Sequence, residues 1–151
     1  MSDTTNPQNV SKPKISEESA RQAVIKMFEA FEIPIEDEDE RTHEKRPNKF
    51  IPKLAAAVQR GRLEIKGEGD DIEIIQHLRK QAFGQKYFKW EWSRLGMGKA
   101  RVRIGADGVV PFGQAYTVAA PMIGYDAGDI QTLHPVDLTL VEDIAGFFQE
   151  I

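Results

Sequence analysis

Residue types able to make and break bonds are sparse in this sequence and poorly grouped. The three histidines, His43, His77 and His134, stand far apart and form no HxH or HExxH pair that would put two imidazoles on one metal. They read instead as a solvated residue in a charged stretch, a strand-end residue and a residue preceding a helix. Cysteine is absent, which removes thiolate nucleophiles, disulfides, Cys-ligated zinc and iron–sulfur clusters. No GxSxG elbow occurs, and the remaining Ser and Thr hydroxyls are scattered. Gly96-Met97-Gly98-Lys99 resembles the end of a phosphate loop. However, Ser93 stands where that pattern needs Gly, and Ala100 where it needs a hydroxyl for magnesium. The residues that follow alternate at strand period, so this segment is expected to be a tight turn between two strands. Asp126 and Asp129, with Gly124 and Gly128, space two carboxylates for a divalent cation, but the EF-hand ligand series and its closing Glu are missing. A solvated turn is expected there. No catalytic residue, metal site or cofactor is assigned.

Two constellations suit binding rather than catalysis. Residues 79–103 hold eight basic groups (Arg79, Lys80, Lys86, Lys89, Arg94, Lys99, Arg101, Arg103) and the single acid Glu91, a net of +7. Interleaved among them are Tyr87, Phe88, Trp90 and Trp92, the composition of a single-strand nucleic-acid platform on which bases stack. Phe88, Trp90 and Trp92 alternate on one face, which is either core or platform. Lys86, Lys89, Arg94, Lys99, Arg101 and Arg103 form a basic strip. The second constellation is the C-terminal stripe Val136, Leu140, Ile144, Phe147, Phe148, with Leu138, Val141 and Ala145 flanking it. A helix apolar around so much of its circumference is either sandwiched in its own core or docked on another chain.

The elements that must position these groups follow from periodicity. Residues 1–14 are polar and read as a disordered tail. Ser16 caps a first helix whose Ala20, Val24, Met27, Phe28 and Phe31 share a face, and Pro34 stops it. Five consecutive carboxylates, Glu36 to Glu40, open an exposed acidic linker over 35–47. A second helix is expected from about Asn48 to Arg60, ended by Gly61. Strands are expected at Arg62–Lys66, Ile72–Leu78, Tyr87–Arg94 and Ala100–Ile104, with Gln114–Met122 a further short strand or extended chain cut by Pro121. Loop signals fall at Ala106-Asp107-Gly108 and Pro111–Gly113. A helix opened by Pro135 closes the chain. The fold class is α+β: two N-terminal helices, a small antiparallel sheet of four or five strands, and a C-terminal amphipathic helix, all in one domain over 15–151.

At 151 residues the chain has the length of one domain. Its net charge of −4 comes from 20 basic and 24 acidic residues, a whole-chain balance unlike that of a nucleic-acid binder. That average hides segmentation, because residues 104–151 carry seven acids and no Lys or Arg. No apolar run approaches the ~18 residues of a membrane span, and Met1–Lys14 lacks the apolar core of a signal peptide. A soluble, cytoplasmic protein is the expectation.

Three segments carry a resemblance: Ile74–Lys80 (IIQHLRK), Leu133–Asp137 (LHPVD) and Val141–Phe148 (VEDIAGFF). Together, over about residues 58–151, they resemble small chaperone-like tail-assembly proteins of contractile-tailed, Mu-like phages. The resemblance implies a non-enzymatic protein that shields an aggregation-prone tail component until assembly, with no catalytic residue. The expected function is therefore assembly or structural work through protein–protein contacts of the C-terminal helix, with a protein partner or a second copy bound at Val136, Leu140, Ile144, Phe147 and Phe148. The alternative is a nucleic-acid-binding module using the basic aromatic stretch 79–103.

Overall fold

The computed structural model describes residues 15–103 and 113–151. The expected polar tail 1–14, the last residue of the strand expected at Ala100–Ile104, and most of the loop signals at 106–113 lie outside the described residues. Helix and strand are mixed, as the sequence reading required, but the sheets are smaller and the helices more numerous than expected.

Helix α1 spans Glu17–Ala30, and the Ser16 hydroxyl accepts from the Ser19 N–H at 3.0 Å to cap it. Its buried face is Ala20, Val24, Met27 and Phe28. The acidic linker is ordered as a two-stranded ribbon, β1 (Glu36–Glu38) and β2 (Lys45–Pro47), in antiparallel register. In this register Asp37 lies opposite Arg46 and Glu38 opposite Lys45, which brings cations into the neighbourhood of the like charges although Arg46 itself pairs with Glu44 at 3.5 Å. The Asp39 carboxylate accepts from the Arg41 and Thr42 N–H groups at 2.8 and 3.0 Å, and these bonds hold its carboxyl below the usual range.

Helix α2 spans Phe50–Gln59, and it buries Phe50, Ile51, Leu54, Ala55, Ala57 and Val58. Asn48 fixes its start: Oδ1 accepts from the Phe50 N–H at 3.0 Å, and Nδ2 donates to Glu150 at 2.8 Å. Gly61, in the left-handed region at φ 73°, ends it as expected. Strands β3 (Leu63–Lys66), β4 (Glu73–Ala82) and β5 (Gln85–Trp90) then form one antiparallel sheet in the order β3-β4-β5. Ile65 opposes Ile74, Ile74 opposes Trp90 and Gln76 opposes Phe88, so one face of the sheet is apolar.

Past Trp90 the structure corrects the sequence reading. The strand expected to reach Arg94 gives way to a 3₁₀ turn at Trp92–Arg94, and helix α3 (Leu95–Arg103) replaces both the expected turn at Gly96–Lys99 and the strand at Ala100–Ile104. Helix α4 (Gln114–Ile123) replaces the strand expected at Gln114–Met122. Contact between these two helices decides the matter. A Cβ at Gly98 would lie 2.7 Å from the Val118 carbonyl oxygen, so the missing side chain lets the two backbones cross closely. Val118–Ile123 is buried without alternation, a run that suits a helix enclosed on all sides better than a strand with one wet face. Pro121 is accommodated in the last turn, which Gly124 closes at φ 83°. The short α5 (Ala127–Ile130) leads to α6 (Pro135–Gln149).

The core is continuous. Phe147 lies 4.8 Å from Phe28 and 5.1 Å from Phe148, whose ring stacks on Trp90 at 6.1 Å between centroids. Among the described residues no helix is long and apolar enough to cross a membrane.

Candidate functional site

The C-terminal stripe does not form one surface. Ile144, Phe147 and Phe148 are fully buried and Leu140 is 7% exposed, all within the chain's own core, so the docking face expected at the Phe-Phe end of the helix is interior. Val136, in the first turn of α6, remains 47% exposed. Phe88 and Trp90 are likewise core residues, and Trp92 donates its indole N–H to the Ile72 carbonyl at 2.8 Å. The face left open between core and platform is therefore core at Phe88 and Trp90, and of the four aromatics named in this stretch only Tyr87, on the opposite face of β5, is well exposed.

The basic strip is divided by the fold. Lys86 and Lys89 sit on β5, where Lys89 lies 3.8 Å from Glu73. Arg94, Lys99, Arg101 and Arg103 belong to the 3₁₀ turn and α3, and Lys99 donates to the Ile151 carbonyl. Arg94 and Arg101 meet Met97, Tyr125 and Asp126 around a small cleft of about 220 Å³.

A larger cleft, of about 490 Å³, opens where α2, the start of β3, β4 and the N-terminal half of α6 converge. Lys53, Ala57 and Arg60 come from α2 and its C-terminal cap, Arg62 from the approach to β3, and Arg79 from β4; α6 adds Val136, Asp137, Thr139, Leu140 and Asp143. Helical spacing puts Lys53, Ala57 and Arg60 on one side of α2, and the alternation of β4 turns Arg79 away from the core that receives Leu78.

What holds the cleft together is a break in the sheet. Strand β3 begins at Leu63, opposite Gln76, and the β4–β5 register shifts between His77 and Ala82, so the Arg79 and Lys80 amides of β4 find their acceptor outside the sheet. Asp137 takes them: Oδ1 accepts from the Arg79 N–H at 2.7 Å and Oδ2 from the Lys80 N–H at 3.1 Å. Asp137 is only 1% exposed, and among the described residues no Lys, Arg or His nitrogen lies within 4.0 Å of its carboxylate, which is met, at the N-terminus of α6, by the backbone amides of Arg79 and Lys80. Beside it the buried Gln76 donates to the Asp137 carbonyl at 2.9 Å and accepts from the Trp90 indole at 3.2 Å. This network pins the first turn of α6 to β4 and so sets the Arg79 side chain beside Val136.

The electrostatics of the cleft are lopsided. Among the described residues no carboxylate lies within 4.0 Å of Arg60, Arg62 or Arg79, and Lys53 reaches Asp143 only at 4.0 Å. Asp143 is half-buried; desolvation pushes its carboxyl up, opposed by Lys53 and reinforced by Glu142. At the rim, His134 Nδ1 accepts from the Val136 N–H at 3.1 Å while Nε2 lies 3.1 Å from Arg79 Nη1. A neutral imidazole has one acceptor nitrogen, so one of those two donors is left without an acceptor from this ring. An oxyanion beside Arg79 would supply it. Cations over a floor of Ala57, Val136 and Leu140 suit an acidic group carried on an apolar stem.

Sequence reasoning names parts of this site without assembling it: Val136 and Leu140 belong to the expected docking stripe, Arg79 to the basic segment, and His134 is read as the residue before the last helix, while Arg60, Arg62 and Asp143 are given no binding role. The local signal was slight: Arg60 and Arg62 straddle the helix-ending Gly61, but nothing in the chain order says that residues 134–143 return to them. His77 is placed on Glu64 at 2.8 Å, and His43 lies 3.4 Å from Glu38. Among the described residues no group of three or more His, Asp or Glu is placed to hold a metal ion, and Asp126 and Asp129 flank the start of α5. No family model, curated protein or solved structure matches this chain.

Proposed function

We propose that this chain is a non-enzymatic assembly or structural protein of phage or prophage type that works in the host cytoplasm through protein–protein contacts of its C-terminal helix. The contacts are made by the exposed N-terminal half of α6 and the cations around it, and the partner presents an acidic segment. One observation carries the reading: a cleft of about 490 Å³ beside α6 lined by Lys53, Arg60, Arg62 and Arg79, three of which face no carboxylate among the described residues. Two of the segments that carry the phage resemblance, Ile74–Lys80 and Leu133–Asp137, meet at this cleft through Asp137, which supports the same reading.

The test is fluorescence anisotropy with a labelled hexaglutamate peptide at low salt. The wild-type chain is expected to bind saturably, the double variant Arg62→Glu/Arg79→Glu to lose at least about tenfold in affinity, equivalent to about 1.4 kcal/mol, and Lys86→Glu/Lys89→Glu to bind as wild type. Equal losses from both pairs would overturn the assignment of docking to the cleft.

The grouping of Arg94 and Arg101 with Tyr125 favours a second reading, a nucleic-acid-binding module. It requires a labelled single-stranded oligonucleotide to bind with a steep salt dependence that Arg94→Glu/Arg101→Glu abolishes. A flat titration at low salt removes it.

A further inference from the structure

The acidic ribbon and the cationic cleft lie at opposite ends of one helix pair. Helices α2 and α6 run antiparallel. At one end Asn48, which follows β2 directly, donates to Glu150, and Phe50 lies against Gly146. Midway, Lys53 reaches Asp143. At the other end Arg60 shares the cleft with Val136 and Asp137. Helix α6 has 15 residues, so at ~1.5 Å per residue the two ends are about 22 Å apart. The ribbon is therefore rooted at one end of this helix pair while Arg60, Arg62 and Arg79 open at the other, and among the described residues no ion pair joins the two.

Their chemistry is complementary. Glu36, Asp37, Glu38 and Glu40 are exposed on the ribbon. Glu38 lies 3.4 Å from His43 and Asp39 is bound to its own turn, which leaves Glu36, Asp37 and Glu40 facing no cation within 4.0 Å among the described residues. Lys45 and Arg46 oppose Glu38 and Asp37 in the ladder and soften this charge without cancelling it. Across the molecule, Arg60, Arg62 and Arg79 likewise face no carboxylate within 4.0 Å among the described residues. A narrow two-stranded ribbon is also the right shape for a cleft of about 490 Å³, a volume that takes a few side chains and no globular surface.

We propose that copies of this chain associate head to tail, the acidic β1–β2 ribbon of one seated in the cationic cleft of the next. The inference rests on the reading of that cleft as a protein-docking surface. A contact between two different surfaces of the same chain does not close on itself as a two-fold dimer does; it propagates into a ring or an open chain. It is small and polar, so it is weak and sensitive to salt.

Sedimentation velocity on the full chain tests it. At about 20 mM salt, where the screening length exceeds ~20 Å, the mean mass should rise with concentration, and at about 500 mM it should fall to the monomer. That monomer is 17.0 kDa. Two charge reversals probe the two surfaces: Glu36→Lys/Asp37→Lys/Glu40→Lys on the ribbon and Arg60→Glu/Arg62→Glu/Arg79→Glu in the cleft. Each alone should remain monomeric. Mixing them should restore association, because the reversed ribbon then meets the reversed cleft, and the same restoration shows that both variants are folded. Wild-type chain that stays monomeric at every concentration overturns the proposal, as does association unaffected by either reversal or a mixture that stays monomeric. A monomeric wild type that still binds hexaglutamate through Arg62 and Arg79 fails this inference alone; loss of both fails the docking surface as well.

Discussion

Removing the Asp137 carboxylate should loosen the junction of β4 and α6 more than any other single polar change near the cleft. Its two oxygens accept from the Arg79 and Lys80 amides at 2.7 and 3.1 Å, and the group is 1% exposed. Hydrogen bonds to a charged acceptor contribute about 1.5–3 kcal/mol each, and a buried N–H left without an acceptor costs about 1–3 kcal/mol. Asp137→Ala orphans both amides, and since Arg79 and Lys80 lie toward the surface, water recovers part of the loss; the expected destabilisation is about 3–5 kcal/mol. Asp137→Asn keeps one carbonyl acceptor and turns an N–H₂ toward the second amide, so about 2 kcal/mol is expected. Against a total stability of about 5–15 kcal/mol, the alanine variant should show a markedly lower urea midpoint. The exposed Asp129→Ala serves as the control, with an expected change within about 0.5 kcal/mol. Urea titrations followed by far-ultraviolet circular dichroism measure all three. A loss below about 1 kcal/mol for Asp137→Ala would refute the argument that this carboxylate holds the break in the sheet.

Two further outcomes follow from burial and charge. Phe148→Ala empties a fully buried site between Trp90, Phe31 and Phe147 and should cost about 3–5 kcal/mol in urea; a change in solution mass with unchanged stability would instead return this side chain to an interface. Asp143 titrates above its ordinary value because burial disfavours its charge, so the folded chain carries a penalty above that folded value which is relieved as pH falls through it toward 3.8. Asp143→Asn should therefore raise the thermal midpoint near neutral pH, with the gain shrinking on acidification. A gain that is constant with pH, or a loss at neutral pH, contradicts the assigned cause.

The elements legible in the sequence were those with strong local signals. Ser16 with the α1 stripe, Gly61 after α2, the two runs Arg62–Lys66 and Ile72–Leu78 that supply β3 and the first part of β4, and Pro135 opening α6 each encode their structure within a few residues. Among the described residues the error was concentrated at 91–103 and 114–123. There Arg101-Val102-Arg103 alternates like a strand, and Pro121 looks like a helix breaker, yet both segments are helical. Local pattern loses in this stretch because Gly98 and Val118 allow a close helix crossing whose burial outweighs weak propensities.

The binding surface was the least legible part. Composition could show that charge is segregated along the chain, with a basic run over 79–103 and an acidic one after it, and periodicity could show that α6 is apolar around most of its girth. Neither could say which side of that helix faces inward, since Val136 and Phe148 are equally apolar as letters and differ only in what surrounds them. Nor could they bring Arg60, Arg62 and Arg79 together, because those residues meet only when an antiparallel α6 returns along α2 and Asp137 anchors in the break of β4. Secondary structure and the apolar inventory are short-range properties, written in neighbouring residues. Burial and the convergence of like charges depend on long-range packing, and the tertiary structure alone decided them.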